Sequence, residues 1–172
     1  MAREVQKNED IAIENAELRF KNFSGKEGKF NAKGNRNFCV LLNPDDAESL
    51  LRDGWNVRPL KPRDPEDEEI PYMQVKVNYD GFSKPIIWLV TEVDGKPVKK
   101  NKLGEEEVDI LDWAEIKKVD LVIRPYHYDI NGKKGIKGYL KSMYVTIAED
   151  RFASKYLDVP DSAVGIATGD ID

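Results

Sequence analysis

The alternation of hydrophobic and polar positions along the chain predicts a fold built mainly from β-strands. Apolar and polar residues alternate with a period of two over 16–21 and again over 71–79, which places their side chains on opposite faces of a strand. The strongest pattern spans 119–147, where two runs rich in β-branched and aromatic residues flank Asn131 and Gly132. Asn-Gly is the strongest short-range hairpin signal, and we therefore predict a long β-hairpin over 119–147.

Side-chain parity divides this hairpin into two chemically different faces. A two-residue loop would pair Tyr126 with Lys137, and a four-residue loop ending at Lys134 would pair Tyr126 with Tyr139, but both registers give the same two faces. The inner face is aliphatic and comprises Leu121, Ile123, Ile136 and Leu140. The outer face, called here the aromatic-basic face, comprises Arg124, Tyr126, Tyr128, Lys133, Lys137, Tyr139 and Lys141.

An aromatic-basic face backed by an aliphatic one is typical of a platform for single-stranded nucleic acid, because unpaired bases stack on rings and cations follow the phosphates. The alternative is an ordinary solvated strand face, where Tyr and Lys are also common. The strand at 71–79 adds Tyr72 and Lys76 to the candidate binding residues. The polar, glycine-rich loop at 22–36 adds Phe23, Lys26, Lys29, Phe30, Lys33 and Arg36, unless it is only a soluble connector.

The order of the remaining elements predicts the fold class. Asn43 and Pro44 begin a helix that ends at Gly54, 99–104 is expected to be a basic loop, and 105–118 is expected to be a second short helix. In that second helix the residues expected to face inward are Val108, Leu111, Trp113 and Ile116. We predict a mainly β fold, an OB-fold-like antiparallel barrel with one or two short helices and a flexible C-terminal tail. An α+β fold with an unrelated open sheet is the alternative.

The length of 172 residues indicates one folded domain. We predict a mobile N-terminal arm at 1–10, an OB-like nucleic-acid-binding domain at 11–158 and a flexible, weakly acidic tail at 159–172. Within these limits, a closing helix is expected at 148–157 and a mobile acidic loop at 61–69. No apolar run reaches the length of a membrane span and the N-terminus lacks a signal-peptide core, so we expect a cytoplasmic protein that contacts no membrane.

The net charge of −5 argues at first against a nucleic-acid partner. The charge is segregated, however, with a net charge of +5 over 19–41 and of +3 over both 71–104 and 119–147. The acidic residues are concentrated elsewhere, for example over 45–69, where the net charge is −5. Screening acts over about 8–10 Å at physiological salt, so the local sign matters more to a bound strand than the total.

The sequence lacks the residues that most catalytic sites require. His127 is the single histidine and Cys39 the single cysteine; we expect His127 on the core-facing side and Cys39 as a small core residue. Zinc needs more Cys and His ligands, and phosphate-binding or hydrolase motifs are missing. We expect no enzyme activity, no cofactor and no metal; the acidic runs 67–69 and 105–107 leave a Mg²⁺-dependent nuclease as the alternative.

Four stretches together, at 13–42, 53–63, 108–128 and 131–147, resemble the single-stranded DNA-binding proteins of tailed bacteriophages, particularly those of actinobacterial hosts. The resemblance implies an OB-type fold, sequence-independent binding of single-stranded DNA and a role in phage replication or recombination inside the infected bacterium. Replication or recombination proteins are candidate partners of the tail, although its ending lacks the dense acidic tip of bacterial relatives. The rival hypothesis is a phage protein that inhibits or recruits a host protein through its acidic segments. The oligomeric state stays open.

Overall fold

A computed structural model describes residues 9–60, 64, 66–81 and 83–147, with only the backbone of Leu60. In the order of the chain, the elements are β1 (Ile11–Ile13), β2 (Leu18–Asn22), β3 (Arg36–Leu41), α1 (Pro44–Asp53), β4 (Val57–Leu60), β5 (Ile70–Val77), β6 (Ile86–Val93), β7 (Lys96–Leu103), a 3-10 helix (Val108–Asp112), β8 (Ile116–Ile130) and β9 (Lys133–Ile147). Among the described residues, no helix has the length and apolar character needed to cross a membrane. The arm at 1–8, the expected closing helix and tail at 148–172, and residues 61–63 and 65 of the acidic loop lie outside the described residues.

The strands form one sheet with the order β1-β8-β9-β5-β3-β2, to which β4 adds on β5 and the β6–β7 hairpin adds on β9. Most pairs are antiparallel, but β9 runs parallel to both β5 and β6. The two end strands, β1 and β2, are successive parts of the segment 11–22. Between them the Ala16 N–H donates to Val119 O (2.8 Å) and Glu17 O accepts from the Leu41 N–H (3.0 Å). The sheet is not closed, and the segment 11–22 supplies both of its end strands. The prediction of a mainly β fold with one or two short helices is confirmed.

The hydrophobic core lies on the inner side of this curved sheet. The alternation expected for β5 is confirmed, because Met73, Val75 and Val77 are buried there. The aliphatic face of the β8–β9 hairpin is buried as well, with all four of its predicted residues at most 3% exposed. Burial of these side chains provides the main stabilisation of the fold.

The β8–β9 hairpin has the two-residue loop. Asn131 (φ 53°) and Gly132 (φ 83°) both have positive φ values, as a type I′ turn requires. Tyr126 lies opposite Lys137 as that register predicts. Beyond this region a β-bulge at Lys141 shifts the pairing. Val122 consequently lies opposite Ser142 and not opposite Lys141.

Helix α1 begins and ends as predicted. The Asn43 side chain accepts a hydrogen bond from the Asp46 N–H (2.8 Å), and Pro44 occupies the first turn. Gly54 ends the helix with φ 100°, a left-handed conformation that favours glycine. The buried residues Ala47 and Leu50 attach the helix to the core.

The predictions for 99–118 were wrong in three respects. The residues expected to form a basic loop belong to β7, which pairs with β6 through a turn at Asp94 and Gly95. The strand tolerates a lysine-rich sequence because it lies at the edge of the sheet and is exposed to solvent. The expected helix is limited to the 3-10 helix Val108–Asp112, because β8 already begins at Ile116. Trp113 does not face inward, since its side chain is 71% exposed.

Candidate nucleic-acid interface

Four neighbouring strands place one row of polar and aromatic side chains on the outer surface of the sheet. Asn37 on β3 lies opposite Lys76 on β5, which lies opposite Tyr139 on β9, and Tyr139 lies opposite Arg124 on β8. These residues alternate with the buried core positions of their strands, so parity directs them outward. The structure thus places Lys76, from the strand predicted at 71–79, beside Arg124 and Tyr139, which the sequence had already placed on one face of the hairpin.

Rings and cations alternate along the hairpin side of this surface. The rings of Tyr126 and Tyr139 lie 5.3 Å apart at an interplanar angle of 38°, and Tyr126 is 52% exposed. The Arg124 guanidinium lies 6.0 Å from the centre of the Tyr139 ring. The Lys137 ammonium lies 5.1 Å from the centre of the Tyr128 ring. These contacts are in the range of cation–π interactions, which hold the rings and the charges in one layer.

Tyr128 has a more constrained position than the other two tyrosines. Its hydroxyl exchanges hydrogen bonds with the side chain of Asn56 (3.1 and 3.2 Å). The opposite residue on β9 is Gly135, where an added Cβ would overlap the Tyr128 hydroxyl. A glycine at this position therefore allows the ring to lie across β9.

Lys76 and Lys137 line a common groove together with Cys39, Asn56, Arg58, Tyr72 and Gln74, and we call it the lysine groove. Burial, and secondly the charge of Lys137, lower the pKa of Lys76. Neither lysine forms an ion pair with a carboxylate in the part of the chain that the structure describes. Two close ammonium groups without a carboxylate form a favourable site for an anion.

The loop between β2 and β3 is an ordered structure rather than an open connector. Asn31 donates its side-chain N–H groups to carbonyls of the loop and accepts from the Asn37 side chain (2.9 Å). The carboxylate of Asp112 accepts from the backbone N–H groups of Phe23 (2.6 Å) and Ser24 (3.0 Å), which attaches the loop to the 3-10 helix. These bonds fix the loop beside β3 and β5.

The two phenylalanines of this loop have opposite environments. Phe23 is fully buried and stacks on Phe38 with ring centres 5.2 Å apart, so the prediction that Phe23 contacts a nucleic acid is wrong. Its position after β2 made it look like part of the polar loop, whereas its ring belongs to the core. Phe30 is 93% exposed, and the Lys29 ammonium lies 5.5 Å from the centre of its ring.

The predicted cations differ in how far they are available to a ligand. Arg36 is engaged, because it pairs with Glu105 (3.1 Å) and donates to Phe23 O (2.8 Å). Lys141 is the extra residue of the β-bulge and pairs with Asp10 (2.6 Å). The remaining predicted cations of the loop and the hairpin turn, Lys26, Lys29, Lys33 and Lys133, are exposed.

Sequence reasoning missed two exposed rings near the loop. Phe20 is 63% exposed and Trp113 is 71% exposed, and both line a hollow that also contains Phe30 and Tyr72. Phe20 leaves the expected alternation because it has φ 53° within the irregular pairing of β2 with β3. Trp113 has polar neighbours in the sequence, including Asp112 and Glu115. These neighbours are the signal that could have indicated the exposure of Trp113.

The single histidine and the single cysteine are placed differently from each other. Cys39 is buried, as predicted, and burial raises the pKa of its thiol. His127 lies opposite the buried Ile136 but is itself exposed, so the expectation that its side chain packs toward the core was wrong. The hairpin extends beyond the edge of the core at this point, and parity alone does not reveal that.

Comparison with known proteins concerns the chain as a whole. The chain is similar to the single-stranded DNA-binding protein from bacteriophage Enc34 in complex with ssDNA, with 12% identity over 83% of this chain and 89% of that one and a TM-score of 0.50. A second structure of the Enc34 protein gives 12% identity, 90% and 89% coverage and a TM-score of 0.48. At this identity the similarity concerns the fold alone, and no curated protein matches. The profile of a family described as a putative phage ssDNA-binding domain matches residues 1–171, and the chain therefore belongs to that family.

Proposed function

We propose that the chain binds single-stranded DNA, with little preference for sequence, along the outer surface of β3, β5, β9 and β8. The observation that carries this proposal is the lysine groove, where Lys76 and Lys137 repel each other and no carboxylate among the described residues compensates. A phosphate between the two ammonium groups would remove the repulsion and release counterions from the nucleic acid. Family membership supports the same ligand.

The rings around the groove are the proposed stacking sites. Tyr126 and Tyr139 adjoin the groove on the hairpin side, and Tyr72 lines the groove itself. Tyr128 contributes a ring in a fixed orientation, because Asn56 holds its hydroxyl. Aromatic stacking tolerates every base, since every base has a flat face, and this accounts for binding without sequence preference.

The ordered loop would cover the strand from the β3 side. Phe30 projects into solvent beside the hollow that contains Tyr72, and Lys29 lies next to its ring. Lys26, Lys33 and Lys133 are further phosphate contacts in this proposal, whereas Arg36 and Lys141 serve mainly as ion-pair partners within the protein. The hollow beside the loop and the lysine groove are both lined by Tyr72 and Gln74, which makes them one continuous surface.

The biological role we propose is to protect or organise single-stranded DNA during phage replication or recombination, in the cytoplasm of the infected bacterium. Residues 11–158 would form the binding domain, and 159–172 would act as a tail that competes weakly with DNA or contacts replication proteins. Membership of a family described as a putative phage ssDNA-binding domain supports the ligand and the phage setting of this role.

We also propose that the protein catalyses no reaction on the strand it binds and needs no metal. One of the two acidic runs that suggested a nuclease, 105–107, has structural contacts, because Glu105 pairs with Arg36 and the Glu107 carboxylate accepts from the Gly104 N–H (2.9 Å). Retention of full-length oligonucleotide during prolonged incubation with Mg²⁺ is the expected result. Cleavage that persists after repurification and disappears in a Glu105/Glu107 double alanine variant would contradict this proposal.

One titration tests the binding proposal directly. Fluorescent dT and rU oligomers are titrated at two salt concentrations, with duplex DNA of the same length as the control. We expect tight binding of dT that weakens as salt increases, because phosphate contacts release counterions, and weak binding of the duplex, whose bases are already stacked. Binding that is absent, or that is unaffected by salt, would favour the rival function of contacting a host protein.

A further inference from the structure

A second cluster of rings and cations lies at the other end of β9, away from the lysine groove. Trp88 on β6 lies opposite Tyr144 on β9, and their rings are nearly parallel (14°) with centres 6.4 Å apart. The Lys100 ammonium lies 4.4 Å from the centre of the Trp88 ring and 5.9 Å from that of Tyr144. We call these three residues, together with Lys102, the distal patch.

The β-bulge in β9 places this patch on the same side of the sheet as Tyr139. Tyr139 and Tyr144 are five positions apart, so in a regular strand they would face opposite sides. The extra residue of the bulge, Lys141, reverses this parity. On β8, Tyr139 lies opposite Arg124 and Tyr144 lies opposite Asp120. Arg124 and Asp120 are four positions apart and therefore share one face, so the two tyrosines do as well. A rise of about 3.3 Å per residue separates the two rings by roughly 16 Å along the strand.

The distal patch is accessible and its cations are available to a ligand. Tyr144 is 41% exposed, and Lys100 and Lys102 are exposed without a carboxylate partner among the described residues. The acidic side chains of this region are already engaged. Glu92 pairs with Lys117 (3.0 Å), and Asp120 accepts from the backbone N–H of Asn15 (3.0 Å).

We propose that the distal patch is a second contact surface for the same DNA strand, so that the bound segment continues along β9 from Tyr139 to Trp88 and Tyr144. The inference rests on the proposed function and extends it from one groove to a longer binding site. An incoming base would stack on the Tyr144 ring in place of the Lys100 ammonium, which would move to a phosphate. Lysines on an edge strand also prevent sheets from pairing at their edges, but that role does not require a cation above two stacked rings.

The strand length of the ligand separates the two surfaces experimentally. The rings of Tyr139 and Tyr144 are roughly 16 Å apart, so an oligomer of about 3 nucleotides is too short to contact both surfaces. One of about 30 nucleotides reaches the distal patch, since OB folds occupy about 4–16 nucleotides each. We expect Tyr144→Ala to weaken binding of the long dT oligomer at least about fivefold, the lower limit for one stacked base, without changing binding of the short one. Tyr144→Phe keeps the ring and is the matched control, with affinities like those of the wild type for both lengths.

Tryptophan fluorescence gives an independent measurement. Trp55 is 2% exposed, so a Trp113→Phe background leaves Trp88 as the tryptophan within reach of a ligand. In that background we expect the long oligomer to quench the emission strongly and the short oligomer to quench it little. Equal quenching by both lengths, or none by either, would contradict the inference.

Two further outcomes are distinguishable. Equal losses of long-oligomer and short-oligomer binding in Tyr144→Ala, or no loss at all, would overturn the inference while leaving the lysine groove in place. A wild-type protein that binds neither oligomer would refute the proposed function and the inference with it.

A charge reversal gives a further comparison. The affinity of Lys100→Glu for the long oligomer is compared with that of Arg52→Glu on α1, which changes the net charge equally at a different surface. A changed sedimentation coefficient of Lys100→Glu without DNA would assign the patch to contact between copies of the chain.

Discussion

Lys76 and Lys137 share one groove, and burial together with the charge of Lys137 lowers the pKa of Lys76. The charged form of Lys76 is therefore less favourable in the folded protein than in the unfolded chain. Because the folded-state pKa is the lower one, the free energy of unfolding increases as the pH rises from the lowered pKa toward the unfolded value. Such an arrangement reduces stability near neutral pH and favours an anionic ligand.

The first prediction separates stability from binding at Lys76. We expect Lys76→Gln to leave the free energy of unfolding at neutral pH equal or higher, because a disfavoured charge is removed. The affinity for single-stranded DNA should decrease, and its salt dependence should become shallower by about 0.7 in log–log slope for one lost phosphate contact. Chemical unfolding and oligonucleotide titration on the same protein measure both quantities. A less stable variant with unchanged binding would show that Lys76 has a structural role.

The second prediction compares cations that are available with one that is engaged. Lys137→Ala and Arg124→Ala should each weaken binding of all DNA sequences to a similar extent, with a shallower salt slope. Lys141→Ala should change the slope less, because Asp10 already neutralises its charge (2.6 Å). Titrations at several salt concentrations measure the slopes. Identical slopes for all three variants and the wild type would argue against phosphate contacts on this face.

The third prediction concerns stacking. Tyr126→Ala and Tyr139→Ala should each reduce the binding free energy by about 1–3 kcal/mol, and the corresponding Phe variants should bind nearly as the wild type does, because stacking uses the ring. Their melting temperatures should decrease much less than that of Ile123→Ala, which empties core volume at a cost of about 2–5 kcal/mol. Thermal melts and titrations on the same proteins provide the comparison. Early melting with normal affinity would show that the tyrosines only support packing.

The fourth prediction tests the position of Tyr128. Gly135→Ala adds a methyl group where the Tyr128 hydroxyl and Asn56 lie, so the ring must move and its hydrogen bond must break. We expect lower affinity for single-stranded DNA and a moderate loss of stability. Gly81→Ala is the matched control, because the atom nearest to the added Cβ is the Asn78 side-chain nitrogen at 3.5 Å, an ordinary van der Waals contact, and it should be silent. If the two variants bind single-stranded DNA with the same affinity, the orientation of Tyr128 is unimportant for binding.

The parts of the fold that the sequence predicts are those set by local rules. The two-residue turn at Asn131 and Gly132, the cap of α1 at Asn43 and the buried face of β5 all follow from residue type and period. These rules also predicted the outward direction of Tyr126 and Tyr139. They work because neighbouring residues alone determine the conformation.

The features that the sequence did not predict depend on contacts between distant segments. Phe23 is buried because Phe38 on β3 receives its ring, and Phe20 is exposed because the pairing of β2 with β3 is irregular at that point. The β-bulge at Lys141 has no local signature, yet it decides which side of the sheet Tyr144 faces. The closeness of Lys76 to Lys137 likewise arises from the parallel pairing of β5 with β9.

The last prediction concerns the loop between β2 and β3. Asp112, which holds the loop in place, and Phe30, which the loop exposes, can be changed separately. Asp112→Asn replaces one carboxylate oxygen with an N–H group, which cannot accept the bond from Ser24. Hydrogen bonds to charged groups contribute about 1.5–3 kcal/mol, so we expect lower stability and, because the loop moves, lower affinity. Phe30→Ala should reduce affinity without changing the melting temperature, since Phe30 is 93% exposed. Unchanged affinity in both variants would remove the loop from the binding surface and leave the lysine groove and the tyrosines as its parts.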